Sequence, residues 1–426
     1  MLNFVNSIFL FSLSRTVRSF RTYFIVSFLF MIIFSCSYPL GTRSFQLDTP
    51  IFHNHYHPDR SPEPKSFKAN FEILWQTQLV EHPLYRDSWS FQHRNIIERS
   101  GMAFDPMRNT AYIGLSEGTI LAVDVSTSEI VWKYSGHDAI TSNVVYDHDL
   151  LYAGTMQGEL LALHRSNGSV VWKYQAGLAI GKKIVVSDSA IFFTTHDDNI
   201  ISLEKRTGNW NWDYHHYFEK DITLLGTPSP FVQDNFVYAG FADGSLFCFS
   251  AQTGSKIWSI RVKSDSLKIK ESNYFVDIDT QPVLLDDSLY FASYSEGLYQ
   301  IDPTGGKILS SNTNLSSIFE IRKSSYLSHI LYLRTGSGKI LVYHSQKQKV
   351  ITTIELQRNL ITGFLETKNR FIVTDAEQAI YFIDHSSGNV LEYLLNDRGF
   401  IAPVFVNDHE ILSLSHHGTL YRLAIY

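Results

Sequence analysis

With 36 Lys and Arg against 42 Asp and Glu, the 426-residue chain carries a net charge of −6 and lacks the cationic excess of a nucleic-acid-binding protein. Two cysteines are too few for a disulfide framework, and Cys248, inside the alternating run SLFCFS, reads as a small buried hydrophobe. Aromatic residues make up 14% of the chain, 30 Phe and 23 Tyr among them, which favours sheet over helix.

The first 21 residues hold Arg15, Arg18 and Arg21 and no acidic residue, and a short apolar run, YFIVSFLFMIIF, fills residues 23–34. A positive flank ahead of an apolar core too short to span a bilayer comfortably is the pattern of an export signal. The run ends in Ile33-Phe34-Ser35-Cys36, which resembles a bacterial lipobox. By that resemblance residues 1–35 are a lipoprotein-type signal peptide and Cys36 carries the lipid. An uncleaved apolar anchor and an ordinary cleaved signal are the alternatives, and all three place the rest of the chain outside the cytoplasm. Residues 36–69, rich in proline and polar residues and without periodicity, read as a flexible tether. His53, His55 and His57 alternate within it, but no cysteine or carboxylate frames them for zinc or copper. A solvated linker is expected there, and no metal.

Residues 71–79, FEILWQTQL, are the first apolar segment of an expected single domain, 70–426, and carry Trp75. After the long connection 80–99 a unit starts to repeat. Residues 117–134 read EGTILAVDVSTSEIVWKY, 157–174 QGELLALHRSNGSVVWKY, 198–214 DNIISLEKRTGNWNWDY and 243–260 DGSLFCFSAQTGSKIWSI. Each is an alternating segment, a turn and a second segment holding Trp132, Trp172, Trp212 or Trp258; Asn167-Gly168 predicts a tight hairpin turn in the second. Weaker copies start at Gly297, Gly338 and Ala379, and one at Gly418 runs to the last residue without a second segment. Counted from Gly118 through Gly158, Asn199, Gly244 and these four, the spacings are 40, 41, 45, 53, 41, 41 and 39 residues. A period near 40 built of short strands predicts an all-β, eight-bladed propeller with four strands in each blade. Residues 71–79 are expected to supply the outer strand that the last blade lacks, since an open ring would leave two unpaired strand edges. The five tryptophans are expected to fill the wedges between neighbouring blades.

Two irregularities break the period, and departures of this kind often carry function. One lies in residues 214–230, ending ITLLGTPSP; the other is the insert 263–275 ahead of VDIDTQPVLLDD. Asp277 and Asp279 alternate in what should be the innermost strand of blade five, so both should point to one face. Paired carboxylates invite an acid/base reading. No His, Lys or nucleophile stands with them in a recognisable frame, so no catalytic residue is expected; a negative spot at the end of the central channel, facing a basic partner, fits better.

Ala122-Val123-Asp124 with Trp132, Ala162 with Gly168 and Trp172, and Thr253-Gly254 with Trp258 resemble the tryptophan-docking motif of the pyrroloquinoline-quinone-type propellers. That motif speaks to fold more than to function. Of the branches that share it, quinone-dependent dehydrogenases are typically larger and hold quinone and calcium beside a vicinal disulfide; this chain has no adjacent cysteines, and no cofactor is expected. The other branch is the BamB family, lipid-anchored propellers of the outer-membrane barrel-assembly machinery. VDIDTQPVLLDD is similar to that family's Asp-x-Asp-Thr-x-Pro segment, which implies that Asp277 and Asp279 contact the barrel subunit. ITLLGTPSP resembles its second contact loop at Ile222, Leu224, Gly226 and Pro230, with Leu225 where the family has Arg. The resemblance implies a non-enzymatic scaffold that binds a BamA-like barrel-assembly subunit, pairs with strands of unfolded outer-membrane proteins, and touches no nucleic acid. Ser37 after Cys36, in place of a retaining Asp, implies a lipid anchor in the outer membrane with the propeller in the periplasm. The rival functions are a generic periplasmic or surface protein-binding propeller and a quinone-dependent oxidoreductase.

Overall fold

The structure is a computed structural model and describes residues 70–80, 100–181, 183–217, 228–262, 276–356, 360–396 and 399–426. Among these residues every regular element is a β-strand, and the strands form eight antiparallel sheets of four. The sheets are the blades of one propeller. Blade one comprises Met102–Asp105, Thr110–Gly114, Thr119–Asp124 and Ile130–Ser135. Blades two to seven occupy 145–175, 185–215, 231–261, 283–312, 318–355 and 361–395.

The burial of each strand follows from its place in the blade. The middle strands, TAYIG and TILAVD in blade one, are buried along nearly their whole length because both faces of a blade press on neighbours. The outer strand IVWKYS alternates, burying Trp132 between exposed neighbours. Eight clusters of buried apolar side chains result, one between each pair of adjacent blades; Tyr112 and Ile120 of blade one, for example, meet Leu151 and Leu161 of blade two. Each blade is therefore stabilised mainly by its two neighbours, as in other repeat architectures.

The last blade combines strands from both ends of the domain. Phe71–Gln78 pairs antiparallel with Thr419–Ile425, from Phe71 opposite Ile425 to Gln78 opposite Thr419. Ring closure as expected from the spare segment thus rests on seven paired residues, with a bulge at Leu74 and with Tyr426 N donating to Asn70 O (3.1 Å) just beyond the strand.

Five tryptophans carry the ring from blade to blade. The indole N–H of Trp132 donates to Arg165 O of the next blade (3.0 Å), Trp172 to Lys205 O (3.3 Å), Trp212 to Ala251 O (2.9 Å) and Trp258 to Pro303 O (3.1 Å). Trp75, from the closing strand, donates to Val125 O of blade one (2.9 Å). The turn of the receiving blade must admit the ring. A Cβ on Gly168 would lie 2.4 Å from Trp132 Cε3, and Gly168 itself has φ of +70°. Asn167 does not share that positive φ, so the predicted two-residue turn is corrected to a longer one: strands end at His164 and resume at Val170, with a bulge at Ala162/Leu163. The bulge adds the residue that lets the turn wrap around the neighbour's indole.

Candidate partner-binding face

The turns between second and third strands and the connections between blades lie at the same end of the ring. Gly158, in such a turn, stands so near the connection after blade two that a Cβ would come 2.4 Å from Leu178 O. Both irregular stretches leave and re-enter the described residues at this end, between blades three and four and between four and five.

The second of them is anchored from both sides where it re-enters the fold. Ile278 N donates to Phe241 O of blade four (3.2 Å), and Tyr294 N of blade five donates to Asp277 O (2.9 Å). Ile278 is fully buried against Gly240, where a Cβ would fall 2.5 Å from its Cγ2. Thr280 exchanges hydrogen bonds with the backbone of Ala292 (2.8 and 3.3 Å), and Gln281 Nε2 donates to Pro230 O (2.7 Å). Asp277 and Asp279 accordingly flank a core residue. They do not lie in the innermost strand of blade five, which is Val283–Leu285; they precede it in irregular backbone. The bonds that would extend the strand are spent on blade four and on the Tyr294 turn. Asp277 is buried and Asp279 half-buried.

Around Asp277 the fold gathers groups that the sequence did not single out. Asp198, with φ of +59° at the place that Gly244 takes in blade four, and Asp243 stand in the corresponding turns of blades three and four, and both are buried. Asp198 Oδ2 accepts from Ala242 N at 3.3 Å. Burial pushes the Asp198 carboxyl up to about 6; the bond from Ala242 and the nearness of His216 oppose that, while Asp243 and Asp277 add to it. His216 Nε2 stands 3.1 Å from Asp243 Oδ2, and Arg261 Nε donates to Asp243 O at 3.1 Å. The His216 ring packs on Phe241 and Phe247, at 4.8 and 5.0 Å between centroids. The turn between second and third strands carries an acid in blades one, three, four and five, at Glu117, Asp198, Asp243 and Glu296, where other copies have Gln157, Ser337 or His417.

Carboxylates backed by aromatic rings, spanning three blades at one end of the ring, are suited to docking a basic surface. Among the described residues no group of three or more His, Cys, Asp or Glu is placed to hold a metal ion. Ile222, Leu224, Leu225 and Gly226 lie outside the described residues, as do Cys36, His53, His55 and His57. Pro230, which ends the first irregular stretch, is buried and carries the carbonyl that Gln281 holds.

Comparison with known proteins comes to bear on this geometry. A family model described as outer membrane protein assembly factor BamB matches residues 116–329. Curated relatives of that name include one from Kangiella koreensis, 25% identical over 210 residues, which is 48% of this chain and 52% of the relative. Another, from Pseudomonas aeruginosa, is 27% identical over 193 residues, covering 43% of this chain and 48% of the relative. The chain spans about half the length of the curated relatives it matches. The crystal structure of BamB from Moraxella catarrhalis superposes with a TM-score of 0.68 at 19% identity, over 83% of this chain and all of that one. A computationally designed propeller-like match, the Ika8 protein, superposes at 0.63 with 17% identity, which shows that this likeness speaks to the fold alone.

Proposed function

The chain belongs to the outer membrane protein assembly factor BamB family, and from that premise we propose that it is a non-enzymatic scaffold for inserting β-barrel proteins into the outer membrane. In this reading residues 1–35 are removed, Cys36 bears the lipid, 36–69 tether the propeller, and the propeller faces the periplasm. The partner is the barrel-assembly subunit, bound at the end of the ring where the blade three-to-four and four-to-five connections emerge. One observation carries the proposal: Asp198, Asp243, Asp277 and Asp279 are concentrated at that end, beside the two stretches that resemble the family's contact segments.

Burial divides the labour among these carboxylates. Asp277, at 2% exposure, is suited to fixing the connection; Asp279 is half-buried, with both carboxylate oxygens turned away from solvent, so that meeting a partner requires its side chain to turn outward. In the same reading Leu224 and Leu225 contribute apolar contact to the partner, Leu225 standing where the resembled contact loop has Arg.

The test is a detergent pull-down of the native lipoprotein with mass spectrometry, run beside Asp279→Lys and Leu225→Asp variants whose melting temperatures match wild type. Recovery of a barrel-assembly subunit by wild type, with at least a tenfold loss in either variant, is the expected result; reversal of one interfacial charge commonly costs that much. Wild type that recovers no such subunit would leave a protein-binding propeller of another kind. A Cys36→Ala variant should in parallel move from the membrane to the soluble fraction.

A further inference from the structure

The inner wall of the ring carries charge that the partner-binding end does not use. Strand register sets its level. Val145, Val185, Val283 and Arg322 occupy one position of the innermost strands, opposite Tyr152, Phe192, Tyr290 and Tyr332 of the second strands. Two residues earlier, at a common height around the axis, stand Lys183 of blade three, Gln281 of blade five and Glu320 of blade six. Lys183 Nζ donates to Gln281 Oε1 at 2.8 Å, a bond that passes over blade four altogether. Side chains from blades three and five therefore meet along the axial channel.

Blade six supplies the rest. Glu320 is held by two guanidinium groups, Arg334 Nε at 2.7 Å and Arg322 Nε. Arg322 Nη1 donates to Phe364 O (2.7 Å) and Arg334 Nη1 to Ile361 O (2.8 Å), so both arginines are fixed against blade seven. Arg322 also lies over the Phe364 ring at 4.8 Å. Arg322 and Arg334 thus share one carboxylate, an excess of one positive charge, and Lys183, held through Gln281, adds a second.

Lys183 itself is open to solvent, and among the described residues no carboxylate pairs with it. It nevertheless sits within the ring of blades. Burial pushes its ammonium pKa down, Arg322 pushes the same way, and Glu320 opposes them. A lysine on an open surface needs no partner, but one facing a guanidinium on a confined wall is stabilised by an anion. The donors for one are present: among the described residues two of three Lys183 N–H groups remain beyond the bond to Gln281, and Arg322 keeps Nη2 beyond its bonds to Glu320 and Phe364.

We propose that Lys183, Gln281 and Arg322 form a binding site for a small oxyanion, inorganic phosphate or a close analogue, on the wall of the axial channel. Two uncompensated charges match a dianion. Gln281 holds Lys183 towards the anion, and the Glu320 pairing keeps Arg322 from folding away. The site adjoins the proposed barrel-subunit surface through Gln281, which also anchors the connection carrying Asp277 and Asp279, but its charged groups, Lys183 and Arg322, lie on the innermost strands and their approaches.

The experiment compares melting of the full chain in sodium phosphate and in sodium chloride at equal ionic strength and pH, with phosphorus NMR line width of phosphate as a direct readout of binding. Wild type is expected to melt higher in phosphate, saturating in the millimolar range, because a ligand that binds only the folded state raises its stability. Lys183→Met should weaken phosphate at least tenfold, the scale of one lost charge-assisted hydrogen bond, while melting no lower than wild type in dilute chloride. Gln281→Leu, which keeps the charge and frees the lysine, should weaken it several-fold and serves if Lys183→Met fails to fold. Equal melting of wild type in the two salts with no line broadening overturns the proposal, as does a phosphate response that survives both substitutions.

Discussion

Five of the eight blade interfaces are closed by a tryptophan, and three are closed by polar groups. Around the first arc, from blade eight through one to five, an indole lies on the next blade's turn and donates to its backbone. In the second arc Ser310, Thr352 and Glu392 occupy the tryptophan position, opposite Gln300, Val342 and Phe382. Asp286 instead joins blade five to six through His329 Nδ1 and Ser345 Oγ, both at 2.7 Å. Glu366 of blade seven accepts from Ser324 Oγ (2.6 Å), Ser325 N (2.8 Å) and Tyr332 OH of blade six. Glu392 accepts from Asn70 N (2.9 Å), at the start of the closing strand, where Phe71 stacks on Phe382 at 4.7 Å. One ring geometry is thus reached by two chemistries. The docked indoles themselves carry no titrating group, whereas the polar contacts of the second arc are made by carboxylates.

Removing an indole breaks the first arc. Trp172→Ala deletes a side chain wedged between blades two and three, and is expected to cost about 3–5 kcal/mol in denaturant unfolding. A loss under 1 kcal/mol would mean that the neighbouring blades collapse into the space. In the second arc, Glu320→Gln leaves Arg322 and Arg334 without their shared counter-charge and should cost about 2 kcal/mol at pH 7, less than a fully buried pair because Glu320 is 22% exposed.

Two carboxylates, Glu320 in the second arc and Asp198 in the first, should answer acid with opposite signs. Burial opposes ionisation of Glu320, but Arg322 and Arg334 overcome it and hold the carboxyl down at about 2, below its ordinary 4.5. Its contribution is complete above pH 4.5 and is lost as pH falls towards 2, so the gap between Glu320→Gln and wild type should narrow over that window. Asp198, pushed up to about 6 from 3.8, contributes stability that is complete below pH 3.8 and lost as pH rises through 6. Asp198→Asn should therefore gain about 1–2 kcal/mol at pH 7.5 and show no gain at pH 4. Stability curves of both variants against pH would collapse this distinction if they ran parallel to wild type.

The smallest effect concerns the one tryptophan-docked turn that lacks glycine. Ser128 of blade one has φ of +62° at the position where blade two has Gly168. Ser128→Gly removes the left-handed backbone cost at the price of a looser unfolded chain, and a net gain of about 0.5 kcal/mol in chemical unfolding is expected. No gain would show that the Asp124 side chain, accepting from Ser126 N (2.7 Å) and Thr127 N (3.1 Å), already holds that turn without strain.

How legible each arc was follows from its chemistry. Tryptophan, glycine and a period near 40 are visible in single residues, so blades one to four and the closing strand could be read directly. Blades five to seven were recognisable only by alternation and spacing, because hydrogen-bonding partners such as Asp286 with His329 leave no local pattern. The candidate site divides in the same way. Asp277 and Asp279 stood out by their alternation in a lengthened repeat, yet alternation suggested a strand, and competition from Phe241 and Tyr294 for the backbone prevented one.

By itself the amino-acid sequence determined the number of blades, the strands within each and the need for a clasp, because alternation and turn chemistry act over a few residues and repeat. Only the tertiary structure decided which carboxylates are buried together and that Lys183 meets Gln281. Those residues are 98 positions apart and two blades distant. Curvature of the closed ring brings them together, and no local pattern encodes the distance across a channel.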